Sequence, residues 1–319
     1  MALKPFTGEL DPATPVESPV ALKPFDGTLD GETPKRTIGG TIGDLGVTAL
    51  KGAVALPQAA AGLASIATGG LAGKGLESIG VRFDDAQKFL DTQYSDAQQA
   101  AQKRVQDADG FVGTAKAMLQ NPSTIATAAG ESIPSMFAGG ALARGLGLAA
   151  RFGPAAAGAI GEGIMGAGSA AEQVRTQTAD RELTAGQAGL AALSGVGTAA
   201  FGALGGKVAQ RMGIGDVDTM IAQGAAKTAG QLAQRSTIAQ MARGALSEGV
   251  LEELPQSLQE QALQNVALGK PWDEGLGKAA AQSLIVGGAM GAAGGGIGCI
   301  GNRRELAQEQ AAIDRARAA

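Results

Sequence analysis

Apolar residues recur at steps of three and four along the stretch from Phe83 to Leu119, with charged and amide side chains between them. This is the spacing of one face of an α-helix. Many of the apolar positions also return every eleven residues, which is typical of nearly straight or slightly right-handed helix packing. The pattern predicts a long, exposed amphipathic helix that Asp109-Gly110 is placed to interrupt and that ends at Asn121-Pro122.

A second amphipathic stretch runs from Ser247 to Leu268, with leucines on one face and glutamates mostly on the others. Pro255 lies inside it and predicts either a kink or the start of a new helix. The turn that follows carries the single tryptophan of the chain, Trp272. A tryptophan just before a membrane span suits the lipid–water interface. The alternative for Trp272 is a buried position that caps a pair of helices.

Three windows of the chain contain no charged residue, and each is about as long as a membrane-spanning helix. They are Gly52 to Gly73, Leu183 to Gly206 and Ala279 to Asn302. Much of each window is Ala, Gly, Ser or Thr, which favour insertion into a bilayer far less than Leu, Ile or Phe do. Two interpretations follow, which are insertion into a membrane at some stage and a soluble bundle of tightly packed small-residue helices.

Regularly spaced glycines mark two of these windows as close-packing helices, because a stripe of small residues lets a neighbouring helix approach. The glycines are Gly195, Gly202 and Gly206 in the second window and Gly287, Gly291 and Gly295 in the third. The third window has the more regular seam and is the leading candidate for a membrane span. We expect Gly287, Gly291 and Gly295 to form the closest contacts between copies of the chain.

The first 36 residues contain a duplicated peptide, since Ala2–Pro15 returns as Ala21–Pro34 with ten of fourteen positions identical. Proline and glycine at this density predict an extended segment. Phe6 and Phe25 are the matching apolar positions of the two copies and are candidate anchors for a partner. Two copies of one docking peptide would raise the effective concentration at that partner, whereas the alternative is a tail with no partner.

Composition argues against enzymatic chemistry. The chain has no His, which is the commonest general base and metal ligand, and its one Cys, Cys299, has no second Cys with which to bind zinc or form a disulfide. Gly130-Glu131-Ser132 resembles the Glu-Ser pair of lytic transglycosylases, but the motif that follows in that family is missing. We therefore predict no catalytic residue, no cofactor and no metal site. A net charge of −4 also argues against a broad basic surface for nucleic acid.

These patterns together predict an all-α protein in which elongated Gly/Ala-rich helices pack into an oligomeric bundle or conduit behind an extended N-terminal segment. Five regions follow from the changes in composition along the chain. They are the extended segment (1–36), an amphipathic helical region (37–130), Gly/Ala-rich helical hairpins (131–246), an amphipathic helix with a glycine-zipper helix (247–302) and a charged tail (303–319).

Several short stretches resemble the Gly/Ala-rich region of internal virion proteins, the ejection proteins of tailed and especially short-tailed bacteriophages. The stretches are the repeated Lys-Pro-Phe-x-Gly-x-Leu-Asp opening, Asn121–Ile125, Glu131–Met136, Ala138–Ala141, Glu252–Gln256 and Gly269–Asp273. The resemblance spans roughly residues 1 to 300 and is largely compositional. The chain departs from the larger members of that group by lacking a recognisable enzymatic domain.

The resemblance implies a protein stored in the virion and released ahead of the genome into the host periplasm or inner membrane. Its implied partners are further copies of itself, other ejection proteins, portal or tail proteins and the host envelope membrane. DNA would pass through the resulting conduit without sequence-specific binding. Two alternatives stay open, which are a structural virion protein that docks on portal or tail without meeting lipid and a pore-forming toxin or lysis protein.

Overall fold

The computed structural model describes residues 34–212 and 237–293, and every regular element in these two ranges is a helix. The all-α prediction is confirmed for this part of the chain. The described residues do not include Phe6, Phe25, Gly295, most of the N-terminal segment or the C-terminal tail.

In chain order the elements are α1 (Ile38–Thr68), α2 (Leu71–Ser78), α3 (Phe83–Thr92), α4 (Asp96–Gln106), α5 (Gly110–Gln120), α6 (Pro122–Gly145), α7 (Leu148–Phe152), α8 (Pro154–Gln177), α9 (Ala185–Met212), α10 (Thr237–Ala245), the π-helical π1 (Leu246–Glu253), α11 (Leu254–Ala267) and α12 (276–293).

Helix α8 is the centre of the bundle and packs against α1, α6 and α9. Each of these contacts is made where two glycines face each other, and a β-carbon on one would overlap the backbone carbonyl of the other. The facing pairs are Gly62 with Gly168, Gly139 with Gly161, and Gly163 with Gly195. Backbone-to-backbone contact therefore replaces the bulky side chains that this sequence lacks.

The long helix expected from Phe83 to Leu119 is three helices, α3, α4 and α5. The unpredicted break lies at Ser95, which caps α4 by accepting a hydrogen bond from the Gln98 amide. Asp44 of α1 accepts further hydrogen bonds from the Ser95 amide (2.7 Å) and hydroxyl (2.8 Å). The prediction of one continuous helix was wrong because a carboxylate more than fifty residues away stabilises the cap. The second break occurs at the expected place, where Gly110 has a φ of 62°.

Pro255 marks a change of helix type. It lies in the first turn of α11, directly after the π-helical segment π1. The preceding segment π1 is π-helical, and the Leu254 amide donates to the Gly249 carbonyl five residues earlier. Helices α10, π1 and α11 therefore follow one another without a loop and form one side of a hairpin with α12.

The glycine seam of α12 is used inside the chain. A β-carbon on Gly291 would overlap the Gly244 carbonyl of α10, and one on Gly287 would lie 2.5 Å from Cγ of Glu253 in π1. Gly287 and Gly291 therefore pack α12 against π1 and α10 within one chain, and their contacts between copies stay a prediction. Replacing them by leucine would therefore disturb the fold before it could report on oligomerisation.

Candidate membrane-contact surface

The buried side chains of the described residues are mostly small or polar. The hydrophobic residues with the lowest exposure are mostly alanines, whereas the largest fully buried side chains include Arg175, Gln98, Glu172 and Asn265. Globular proteins in water usually bury Leu, Ile, Val and Phe and leave charged groups outside. Along much of this bundle the opposite holds, because polar and small side chains are buried and many large apolar side chains are exposed.

Large apolar side chains instead lie on the surface of the long helices. On α9 the exposed positions follow each other at steps of three and four, which places them on one face. We call this face the α9 stripe, and its residues are Gly189, Leu193, Val196, Ala200 and Leu204. Its three large side chains are between 51% and 65% exposed. The stripe contains no charged residue and is followed by the exposed Lys207.

Helix α1 has the same arrangement. Its outer face begins with Ile38, Ile42 and Leu45, which are all exposed, and continues with alanines and Pro57. Its two charged residues face the protein, since Asp44 is buried and the Lys51 side chain is only 13% exposed. The outer face of this 31-residue helix is therefore uncharged over its whole length.

Two helices are long and apolar enough to cross a membrane, judged by length and composition alone. They are Ile38–Thr68, with a mean hydropathy of 1.2, and Ala185–Val208, with a mean hydropathy of 1.4. In the most apolar 18 residues of these helices, only 28% and 33% of the residues, respectively, are buried in the bundle, whereas the core helix of a soluble protein is mostly buried. They overlap the first two uncharged windows of the sequence. The third window, Ala279 to Asn302, extends beyond the described residues.

The remaining residues singled out from sequence lie in different surroundings. Gly195 and Gly202 are buried at contacts of α9 with α8, and Gly202 also faces Glu252 of π1. Gly206 is buried as well. Trp272 is exposed on the loop between α11 and α12. Sequence reasoning found the seam glycines and missed the α9 stripe, although the spacing of Leu193, Val196 and Leu204 was available as a signal.

Glu131, the one carboxylate that invited a catalytic interpretation, is a structural link between α6 and α1. Its Oε1 accepts a hydrogen bond from the Tyr94 hydroxyl (2.9 Å) and pairs with Lys51 Nζ (3.0 Å). Lys51 also pairs with Asp91 of α3 at 2.7 Å, and the Tyr94 hydroxyl lies 3.2 Å from the Thr48 hydroxyl. These contacts of Glu131, Lys51 and Tyr94 hold α1, α3 and α6 together.

A buried ion network fastens α2 and α3 to α8. Arg175 forms a bidentate pair with Glu172, with distances of 2.8 and 2.7 Å, and reaches Glu77 of α2 at 2.7 Å. Arg181 binds Glu77 at 2.8 Å and Asp84 of α3 at 3.0 Å. Burial opposes ionisation of Glu77, but the hydrogen bonds from Arg181 and Arg175 outweigh it and hold its pKa below the ordinary value. Glu77 is therefore ionised at neutral pH.

A seam of carboxylates lies where α11 and π1 pack on α8 and α9. Glu260 accepts a hydrogen bond from the Thr198 hydroxyl (2.8 Å), and Glu162 accepts one from the Gln256 amide (3.3 Å). Burial and repulsion by Glu260 raise the pKa of Glu253 to about 7. Burial also raises the pKa of Glu260. Within the described ranges no group of three or more acidic, Cys or His residues is arranged to hold a metal ion.

The raised pKa of Glu253 predicts an unusual pH dependence of stability. In the folded protein the Glu253 carboxyl stays protonated below about pH 7, whereas in the unfolded chain its pKa is the ordinary 4.5. The free energy of unfolding should therefore rise as the pH falls from 7 towards 4.5, by at most about 1.4 kcal/mol per pH unit for this group.

Urea denaturation of the wild type and of Glu253→Gln across this range measures the effect. The variant should be the more stable protein at pH 8 and should show a flatter profile. An unchanged profile in the variant would show that Glu253 does not carry the dependence. Glu182→Gln, a half-exposed carboxylate outside the seam, is the matched control.

Comparisons of the chain with protein-family models, with curated proteins and with solved structures find no match.

Proposed function

We propose that the protein is a bacteriophage ejection protein that joins further copies and other ejection proteins in a conduit for genome delivery across the host envelope. The observation that carries the proposal is the reversed distribution of side chains, with uncharged apolar faces on α1 and α9 around a small-residue and polar interior. The sequence resemblance to internal virion proteins supplies the biological setting.

The reversed distribution favours a surface that is covered during function. Exposed apolar area costs about 25 cal/mol per Å² in water, so two long apolar helix faces favour lipid or neighbouring helices over solvent. The α9 stripe lies on a segment of 24 residues, about 36 Å of helix, which is enough to cross the apolar part of a bilayer. Small-residue contacts hold this helix to α8 without needing a hydrophobic core.

The same design suits a protein that is stored in a particle and then moves through a tail. Ion pairs and carboxylates inside the bundle keep α2, α3 and α11 attached without a large hydrophobic core. The acidic balance of the chain, with a net charge of −4, means that DNA leaving the particle would not be held by it. Portal or tail proteins are the proposed partners before release.

Liposome flotation tests the membrane part of the proposal. The wild-type protein should float with vesicles of phosphatidylethanolamine and phosphatidylglycerol. The vesicle-bound fraction of the triple variant Leu193→Glu, Val196→Glu, Leu204→Glu should be more than about tenfold lower. The reason is that a carboxylate costs about 2.5–3.5 kcal/mol at the centre of a membrane helix. All three sites are exposed, so the variant should keep its helical circular dichroism spectrum.

A matched control introduces the same charges on exposed apolar positions outside both candidate spans. The triple variant Phe89→Glu, Val112→Glu, Leu119→Glu should float like the wild type, because these side chains are similarly exposed but lie on other elements. Equal loss in both triple variants would point to a nonspecific effect of charge. A wild-type protein that stays with the soluble fraction would favour a structural virion protein that never meets lipid.

The ejection step has its own test. Mass spectrometry of intact virions and of virions emptied of DNA should find the protein in the first and not in the second. Retention at full copy number in emptied particles would contradict the proposal. Permeabilised cells after expression of this protein alone would instead favour a pore-forming toxin or lysis protein.

A further inference from the structure

The two candidate spans meet at one end of the bundle. Helix α1 ends at Gly69, and the Gly69 carbonyl accepts a hydrogen bond from the Leu183 amide (3.1 Å), two residues before α9 begins. Gly70 packs against the backbone of Glu182, where a β-carbon on the glycine would lie 2.9 Å from Cα of Glu182. The end of one span and the start of the other are therefore at the same level.

Charged residues crowd this level, whereas the two candidate spans themselves contain only Asp44, Lys51 and Lys207 as charged residues. Lys74 pairs with Glu182, and Arg181 pairs with Glu77 and Asp84. Lys74 and Glu77 belong to α2, which follows α1, Arg181 and Glu182 lie just before α9, and Asp84 lies in the first turn of α3. A cluster of paired charges at the end of an apolar helix is suited to the headgroup region and not to the hydrocarbon of a bilayer.

Trp272 is held at the same end by a chain of polar contacts. The Gln187 amide in the first turn of α9 donates to the Ala267 carbonyl at the end of α11 (3.0 Å). Asn265, which is buried, donates to the carbonyls of Trp272 (3.1 Å) and Glu274 (2.7 Å) and thereby shapes the loop. The Trp272 side chain is 62% exposed on this anchored loop.

We infer that this end of the bundle lies in the interface of a phospholipid bilayer, with the Trp272 indole at the boundary between headgroups and acyl chains. The inference rests on the proposed contact of α1 and α9 with lipid and adds the orientation and the anchoring residue. An indole combines a large apolar ring with one N–H donor, which is why tryptophan is enriched at this depth. From sequence Trp272 was placed ahead of the Ala279–Asn302 window, and the hydrogen bonds of Asn265 and Gln187 also link its loop through α11 to the start of α9.

The single tryptophan makes the test direct, because all tryptophan fluorescence of the chain comes from residue 272. On adding vesicles of phosphatidylethanolamine and phosphatidylglycerol, the emission maximum should move to shorter wavelength and iodide quenching should fall severalfold. Lipids brominated near the headgroup end of the acyl chain should quench the emission more strongly than lipids brominated near the chain terminus.

The result that would overturn the inference is a protein that floats with vesicles while Trp272 stays fully accessible to iodide, or is quenched best by the deep bromines. In either case the proposed membrane function stands and the orientation fails. A protein that does not float at all removes the proposed function and the inference with it.

A pair of substitutions separates anchoring from general loss of apolar surface. Trp272→Ala should lower the bound fraction severalfold, whereas Leu119→Ala removes a side chain of similar exposure from α5 and should leave it unchanged. Equal binding of both variants would overturn the anchoring role of Trp272. Both positions are on the surface, so neither change should unfold the bundle.

Discussion

Replacing Gly62 by alanine is expected to destabilise the folded protein by about 3 kcal/mol. A β-carbon at this position would overlap the Gly168 carbonyl of α8 and would lie 3.1 Å from the Glu172 amide nitrogen. Both neighbours are backbone atoms, so α1 and α8 would have to move apart and lose packing along their length. Urea denaturation followed by circular dichroism measures the change.

The matched control is Gly46→Ala in the same helix. Nothing lies within 4 Å of a β-carbon at Gly46, so this substitution changes helix propensity alone. It should stabilise the protein by about 0.5–1 kcal/mol, since alanine loses less backbone freedom than glycine on folding. If Gly62→Ala were as well tolerated as Gly46→Ala, the close approach of α1 and α8 would not be present in solution.

Replacing Arg175 by methionine is expected to cost about 3–5 kcal/mol of unfolding free energy. The Arg175 side chain is 2% exposed and its partner Glu172 is 1% exposed, so the substitution leaves a carboxylate buried without its cation. Glu77 also loses a hydrogen-bond donor, although Arg181 still binds it. The result should be loss of the α2–α3 region from α8, which hydrogen exchange of residues 71–92 would detect.

Two further variants show whether the loss comes from the stranded charge. The double variant Arg175→Met, Glu172→Leu should recover part of the stability, because replacing both partners of a buried pair by apolar groups leaves no uncompensated charge. Lys103→Met breaks a pair with Asp107 whose side chains are 75% and 63% exposed, and should change stability by less than about 0.5 kcal/mol. A similar effect of Arg175→Met and Lys103→Met would contradict the structural role of the network.

The features that follow from local sequence were predictable. A shortage of aromatic residues and an abundance of Gly and Ala left close helix packing as the way to a stable interior. Gly195 and Gly202 were singled out from spacing and do lie at helix contacts. The absence of His and of paired Cys also limited the chemistry before any contact was known.

The features that depend on which helix meets which were not predictable. The break at Ser95 depends on Asp44, and the outward direction of Leu193, Val196 and Leu204 depends on the opposite face of α9 packing against α8 and π1. The spacing of Leu193, Val196 and Leu204 places these side chains on one face of a helix, but in a window of mostly small residues it does not show whether that face is buried or exposed.

The local composition thus determines that the chain forms helices and that these helices pack through small residues, because helix propensity and side-chain size act within a few residues of each position. The assembled bundle decided the partner of each glycine, the pairing of Arg175 with Glu77, and the link of the Trp272 loop through α11 to α9. They are contacts between residues far apart along the chain, and only packing of the helices selects one set of such contacts from the many that small residues allow.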